Sequence, residues 1–235
     1  MPYPRVVSAQ SSGTPAQADA LAADLGVVAP ERIRDAERTK ADILAVATRE
    51  FADRGYAGAR INEIAAKTST TKRMIYYYFG GKEQLYIAVL EQAYSLIRTL
   101  EQRLDVEHLD PVEALRELAG LTFDHHESHP DFIRLVSIEN IHRGEHISRL
   151  PDLVDVNTPA VRLLERLLEH GRRGGEIRSD IDAVDLHMMI SAYCFFRVSN
   201  QHTFGALFGR DLLDPARRDD YRSRLGDMIV AYLTR

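Results

Sequence analysis

Residues 71–82 read TKRMIYYYFGGK, so two adjacent cations, three consecutive tyrosines and a further lysine crowd into one short segment. Cations and hydrogen-bonding aromatics on a short helix suit contact with duplex DNA, whose phosphates attract charge and whose base edges take planar donors. Lys72, Arg73 and Met74 fall in the first turn, where a groove-entering helix meets base edges. Arg73 can take a guanine O6/N7 pair, worth roughly 1–3 kcal/mol of discrimination. Tyr77 can offer its ring to a thymine methyl or its hydroxyl to a phosphate, while Tyr76 and Tyr78 are placed for phosphates. Thr71 can cap the helix. Lys82 opens the next helix, where free N–H groups and the helix dipole already favour an anion. Arg60 and Asn62, at the start of the preceding helix, can reach the DNA backbone and a base.

Such side chains need a bracing helix and a reading helix held at a fixed angle. Helical periodicity begins at about Asp35, with Ile43, Ala47 and Phe51 at i, i+4, i+8 and Leu44 widening the stripe. Gly55 ends that helix. Ile61, Ile64 and Ala65 make a bracing helix over about 61–67, and the reading helix spans about 71–79, with Ile64, Ala65 and Ile75 between them. A fourth helix is expected over about 82–103, with Leu85, Val89, Leu96, Leu100 and Leu104 on one face. Further helical blocks fall at about 111–128, 130–143, 158–172, 182–200 and 215–234. Asp110-Pro111, His129-Pro130 and Thr158-Pro159 read as starts with Pro at the first position. No strand alternation appears. The expected fold class is all-α with about nine helices: a disordered arm at 1–34, a helix-turn-helix DNA-binding head at 35–81, and a larger helical body at 82–235.

Charge is divided in the same way. The net charge is −5, yet residues 31–86 hold 11 Lys/Arg against 8 Asp/Glu, while 87–235 hold 18 against 25. Positive charge sits with the candidate DNA-reading segment. One cysteine, Cys194, excludes an internal disulfide and reads as a core thiol. No apolar run reaches the ~18 residues that span a bilayer, and the N-terminus has no apolar signal-like core. The expectation is a cytoplasmic protein with no membrane contact and no cofactor.

The segment 38–86 resembles the N-terminal domain of TetR-family transcriptional regulators. Phe51, Gly55 and Tyr56 match the end of the family's first helix, and Ile64-Ala65 its second. Thr71 matches the cap, Ile75 to Phe79 the reading helix, and Lys82, Glu83 and Leu85 the closing motif. Thr68-Ser69-Thr70 stands where the family has Ala-Gly-Val, and Gly81 where it has Ser or Asn, which predicts a non-glycine turn and a less stable head. The resemblance implies a homodimer through the last two helices and an effector pocket among helices four to eight.

The body has no zinc-hydrolase, nucleophile-elbow or phosphate-loop motif, so an enzyme is not expected. Tyr221, Leu225, Met228, Ile229 and Tyr232 form a stripe on the last helix, and Met188, Met189, Ala192, Cys194, Phe195 and Phe196 make the preceding one apolar nearly all round. Both suit dimerisation. Phe123, Phe132, Ile133, His187, Tyr193 and Arg197 are the candidate effector-pocket residues, suited to a small organic molecule. The rival signal is histidine. His125 and His129 are four apart, as are His142 and His146, and two such pairs meeting across helices would serve a metal sensor or a metal-dependent enzyme. The expected function is a repressor released from a palindromic DNA operator by a small-molecule effector.

Overall fold

Gly55 adopts φ 66°, ψ 172°, a backbone conformation that only glycine takes cheaply, and it breaks the first helix where the sequence places the break. The computed structural model describes residues 30–101, 109–150 and 153–234. Residues 1–29 of the arm expected at 1–34 lie outside them, and 30–34 are helical: the first helix, α1 (Pro30–Gly58), begins earlier than Asp35. It is followed by α2 (Ile61–Lys67), α3 (Lys72–Phe79), α4 (Lys82–Glu101), α5 (Pro111–Ser128) and α6 (Pro130–Ile141). Then come α7 (Leu153–Gly174), α8 (Ala183–Ser199), α9 (Gln201–Phe208) and α10 (Arg218–Thr234), with 3₁₀ turns at Ile147–Arg149 and Pro215–Arg217. No strand occurs among the described residues, so the fold is all-α.

Ten helices occur among the described residues, close to the nine or so expected. The addition is α9, closed by Gly209 in the left-handed region at φ 63°. It is only eight residues long with Gly205 at its middle, and its apolar Phe204, Leu207 and Phe208 span barely one turn. Two boundaries also move. Helix α7 starts at Leu153, so Pro159 lies inside it rather than at its first position. Helix α6 ends at Ile141, because Arg143 and Gly144 both turn to positive φ. Asp110 does cap α5, accepting from Val112 and Glu113 N–H groups at 2.9 and 3.2 Å.

The head packs Ile43, Ala47, Phe51, Ile64, Ile75, Leu85, Tyr86 and Val89 into one core, which Leu135 of α6 and Leu150 join from the body. Ile75 is the one buried residue of α3. Truncating it to Ala would cost about 2–5 kcal/mol and release the helix from its scaffold. On α4 the expected face is rotated: Leu85, Val89, Leu90 and Ile97 are buried, whereas Leu96 is 43% exposed. Leu104 and the side chain of Leu100 lie outside the described residues. A second core joins α5, α7, α8 and α10 around Leu115, Phe123, Leu164, Leu186 and Leu225. Helices α5 and α10 cross closely at Gly120 and Gly226, where an added Cβ would meet Arg222 and Arg116 respectively.

Candidate nucleic-acid interface

Helix α3 is fixed from below and open above. Thr71 Oγ1 accepts from Met74 N–H at 3.3 Å, satisfying one of the orphan donors of the first turn. Gly80 ends the helix at φ 81°. Ile75 seats it, and Lys72, Arg73, Tyr76 and Tyr77 all face outward, with Tyr77 77% exposed. Met74 is half-buried, and Tyr78 packs partly on the head core with its ring edge-on to Tyr77. Lys72 Nζ lies 5.9 Å from the Tyr76 ring centroid, so this cation is braced along the helix. Arg60 and Asn62 are exposed at the start of α2.

The turn between the two helices needs no glycine. Thr68 takes extended backbone at φ −111°, ψ 161°, and its hydroxyl donates back to the Ile64 and Ala65 carbonyls at 3.2 and 3.1 Å. Ser69, at the position of the family's glycine, is not in the positive-φ region either, so the Ala-Gly-Val departure is accommodated without left-handed strain. Buried Glu50 also ties α1 to α2: Lys67 reaches it at 2.5 Å and Arg54 at 2.9 Å, and these partners hold its carboxyl below the usual range.

Lys82 sits where head meets body. Its Nζ lies 4.8 Å over the Tyr56 ring and 3.4 Å from the Ala57 carbonyl, and burial together with the nearby Arg60 charge holds its ammonium below lysine's ordinary pKa. Behind Tyr56 lies His146, with ring centroids 4.2 Å apart, and Tyr86 meets His146 edge-on at 5.0 Å. Buried Glu139 of α6 accepts from the His146 and Ile147 N–H groups at 3.1 and 2.9 Å, and its second oxygen lies 3.3 Å from His146 Nδ1. Arg149 pairs with Glu83 of α4, and Arg134 with Asp53 of α1 at 2.6 Å. Sequence marks Lys82, Tyr56 and Glu83 as head positions and His146 only as a possible metal ligand; it singles out none of Glu139, Tyr86, Arg134 and Arg149. The signal of Glu139 and His146, a lone Glu within an apolar helix and a His after a double positive-φ turn, has no local period.

The histidine pairs do not meet. His125 stacks on His129 at 4.3 Å in the body, whereas His146 is buried in the head–body junction and His142 is exposed beyond the end of α6. No group of three or more His, Cys, Asp or Glu side chains able to hold a metal occurs among the described residues.

The candidate pocket residues are likewise divided. Phe132 and His187 line a cavity of about 320 Å³ with Tyr94, Ile97 and Arg98 of α4, His126 of α5, Val136 and Asn140 of α6, and the outer side of α8. Ile133 instead lines a separate groove of about 440 Å³ between α1, α6 and the α8–α9 corner. Phe123 is core. Arg197 is buried in a filled ionic knot, bonded to Glu127 at 3.0 Å and the Leu212 carbonyl at 2.8 Å, and stacked over Phe123. Tyr193 bonds the Tyr221 carbonyl at 3.3 Å. Cys194 is buried, its thiol pushed up to about 12 by desolvation.

Within the cavity, His126 is pushed down to about 4 by burial and is neutral at physiological pH. Its Nδ1 lies 2.8 Å from the Thr122 carbonyl, which can only accept, so Nδ1 carries the hydrogen and Nε2 is a bare acceptor. Arg98 is buried and pairs with Glu101 at 2.6 Å, while its Nε finds no partner among the described residues. The cavity thus combines aromatic walls with the Arg98 side chain and the His126 ring.

Comparison with known proteins agrees with this geometry. The pattern described as "Bacterial regulatory proteins, tetR family" matches residues 43–89, and "Tetracyclin repressor-like, C-terminal domain" matches residues 111–229. The chain is 35% identical to the HTH-type transcriptional repressor NicS of Pseudomonas putida, over 87% of this chain and 96% of that protein. It is 33% identical to the HTH-type transcriptional repressor SCO4008 of Streptomyces coelicolor, over 68% of this chain and 78% of that protein. Among solved structures, a putative transcriptional regulator of Streptomyces coelicolor, SCO4942, superposes with a TM-score of 0.61 at 28% identity, covering 81% of this chain and 97% of that one. A head carrying an outward-facing basic helix, a body enclosing a cavity and two matched family patterns lead to one assignment: the chain belongs to the TetR family of bacterial transcriptional regulators, a class of ligand-responsive DNA-binding proteins.

Proposed function

We propose that this chain is a cytoplasmic repressor that binds a palindromic operator as a homodimer and leaves it when a small organic effector fills the cavity between α4, α5, α6 and α8. The observation that carries this reading is that α4 serves both sites. Lys82 opens it at the head, while Tyr94, Ile97 and Arg98 line the cavity from its other end. The separation is roughly 24 Å along one continuous helix.

In this reading Arg73 pairs with a base, and Lys72, Tyr76, Tyr77, Tyr78 and Lys82 hold phosphates and sugar edges. Arg60, Asn62, Thr71 and Met74 complete the contact surface. A planar effector stacks among Tyr94, Phe132 and Phe195, accepts from Arg98 and donates to His126. Filling the cavity biases α4 and α6 together, because Val136 and Asn140 of α6 share its wall and Glu139 of the same helix clamps the turn beneath Tyr56 and Lys82. The effector shifts the population toward the arrangement it binds better, and the two heads lose their half-site spacing. Selection of bound duplexes from a random library tests the DNA arm: it should enrich a palindrome whose half-site centres lie roughly 34–36 Å apart. Recovery of no common sequence would remove the assignment.

A further inference from the structure

A further cavity, of about 280 Å³, opens where the head meets the body, between Thr48 of α1, Ala93 and Leu96 of α4, and the α5–α6 corner. The Phe132 ring lines both this cavity and the one beside α8, edge-on to His125 at 5.5 Å and to His126 at 5.7 Å. His125 lines the cavity at the head–body seam. It is 2% exposed, yet neither ring nitrogen has a hydrogen-bond partner among the described residues. Burial pushes it down to about 3, so the ring is neutral at physiological pH, with one nitrogen that donates and one that accepts. A buried polar group left unpaired weakens a fold, and native proteins keep few of them. Nothing in the packing asks for an imidazole here, since Ala93, Leu96, Pro130 and Phe132 make the surrounding wall apolar.

The other polar groups of the cavity are rich in acceptors. His129 stacks on His125 with ring centroids 4.3 Å apart, and its Nδ1 lies 2.9 Å from the His125 carbonyl. A carbonyl only accepts, so Nδ1 carries the hydrogen and His129 Nε2 is left as a bare acceptor. Asp131, in the first turn of α6, adds a carboxylate to the same wall. The apolar wall suits one planar ring, and the volume admits little more. We propose that this cavity is a second small-molecule site, for a single-ring molecule bearing N–H donors: an aromatic amine or amidine. Its ring lies against Phe132 and Leu96, and its N–H groups reach the acceptors on His125, His129 and Asp131. An occupant bridges head and body, since Thr48 belongs to α1 and Asp131 to α6. The site goes beyond the repressor reading and stands without it, whatever fills the cavity beside α8.

Benzamidine, a planar ring with an N–H fork, is the probe, added to the full chain isotope-labelled at its histidine nitrogens and followed by nuclear magnetic resonance. The ring nitrogens of His125 and His129 should shift in a saturable way, and those of His187, which lines the other cavity, should not. Toluene, the same ring without donors, should bind at least about tenfold more weakly, as the loss of several hydrogen bonds requires. Asp131→Asn, at a half-buried position, should weaken benzamidine about tenfold with an unchanged circular-dichroism spectrum. His125→Leu should remove the His129 shift and, with no probe present, raise the urea midpoint, because an unpaired buried imidazole is gone. A lower midpoint or a failure to fold would show an imidazole that the fold itself requires, and would overturn the site. Shifts confined to His126 and His187, equal affinity for benzamidine and toluene, or no saturable shift at any histidine would overturn it as well.

Discussion

Arg73 and Lys82 are both cations of the head, but their surroundings assign them different work. Arg73 projects from the first turn of α3 into open space, where its planar fork can discriminate between bases. Lys82 is half-buried, cradled by the Tyr56 ring and the Ala57 carbonyl, and its charge is already disfavoured by burial. An arriving phosphate relieves that cost, whatever the sequence around it. Lys82→Ala should therefore weaken operator and scrambled duplexes alike and reduce the slope of log affinity against log salt by about one unit. Anisotropy titrations at several salt concentrations check this, and a loss confined to the operator would contradict it. Tyr76, which is exposed, and Tyr78, partly packed on the core, read alike from sequence as phosphate contacts, since spacing alone says nothing about which ring the fold turns inward.

At the scale of elements, α3 has eight residues, too few to hold itself in water, and depends on its cap and on Ile75. Thr71→Ala should cost the head about 1 kcal/mol, seen as a lower urea midpoint, and should weaken DNA binding through helix placement, with every exposed contact intact. Helix α5 carries a pH dependence. Burial pushes His125 down to about 3 and His126 to about 4, whereas an unfolded histidine titrates near 6.5. The unfolded chain takes up these protons first, so the stability tied to neutral histidine is complete above about pH 6.5 and is lost as pH falls below it, by at most about 1.4 kcal/mol per unit per histidine. Urea midpoints at pH 7 and pH 5.5 should differ accordingly, and His126→Gln should shrink the difference. A wild-type midpoint that stays flat over this range would show that these rings are not held neutral.

The sequence is most legible in the head because its signals are local: a cap, a glycine break, an i, i+4 apolar stripe and a cluster of cations all lie within a few turns. Helix existence in the body is legible for the same reason, through Asp110 before Pro111 and the periodic stripes. What is not legible depends on contacts between distant segments. Leu96 and Ile97 are equally apolar, and only the position of neighbouring helices makes one exposed and the other buried. Phe132 and Arg197 both read as pocket residues, yet the fold turns one toward a cavity and ties the other to Glu127 and Leu212. Arg98 and His126 become visible as cavity-lining groups only when α4 and α5 are set side by side.

In the whole molecule a candidate reading helix, α3, is joined through α4 to a cavity in the body, and the proposed function stands or falls on whether α3 reads operator sequence. The most direct measurement is the affinity of wild-type protein and Arg73→Ala for the selected operator and for a version altered at one base pair of each half-site, by fluorescence anisotropy at fixed salt. Arg73→Ala should lose roughly 1–3 kcal/mol per half-site on the operator and no longer distinguish the two duplexes at that position. Unchanged affinity and unchanged discrimination in a variant with a wild-type melting curve would contradict it.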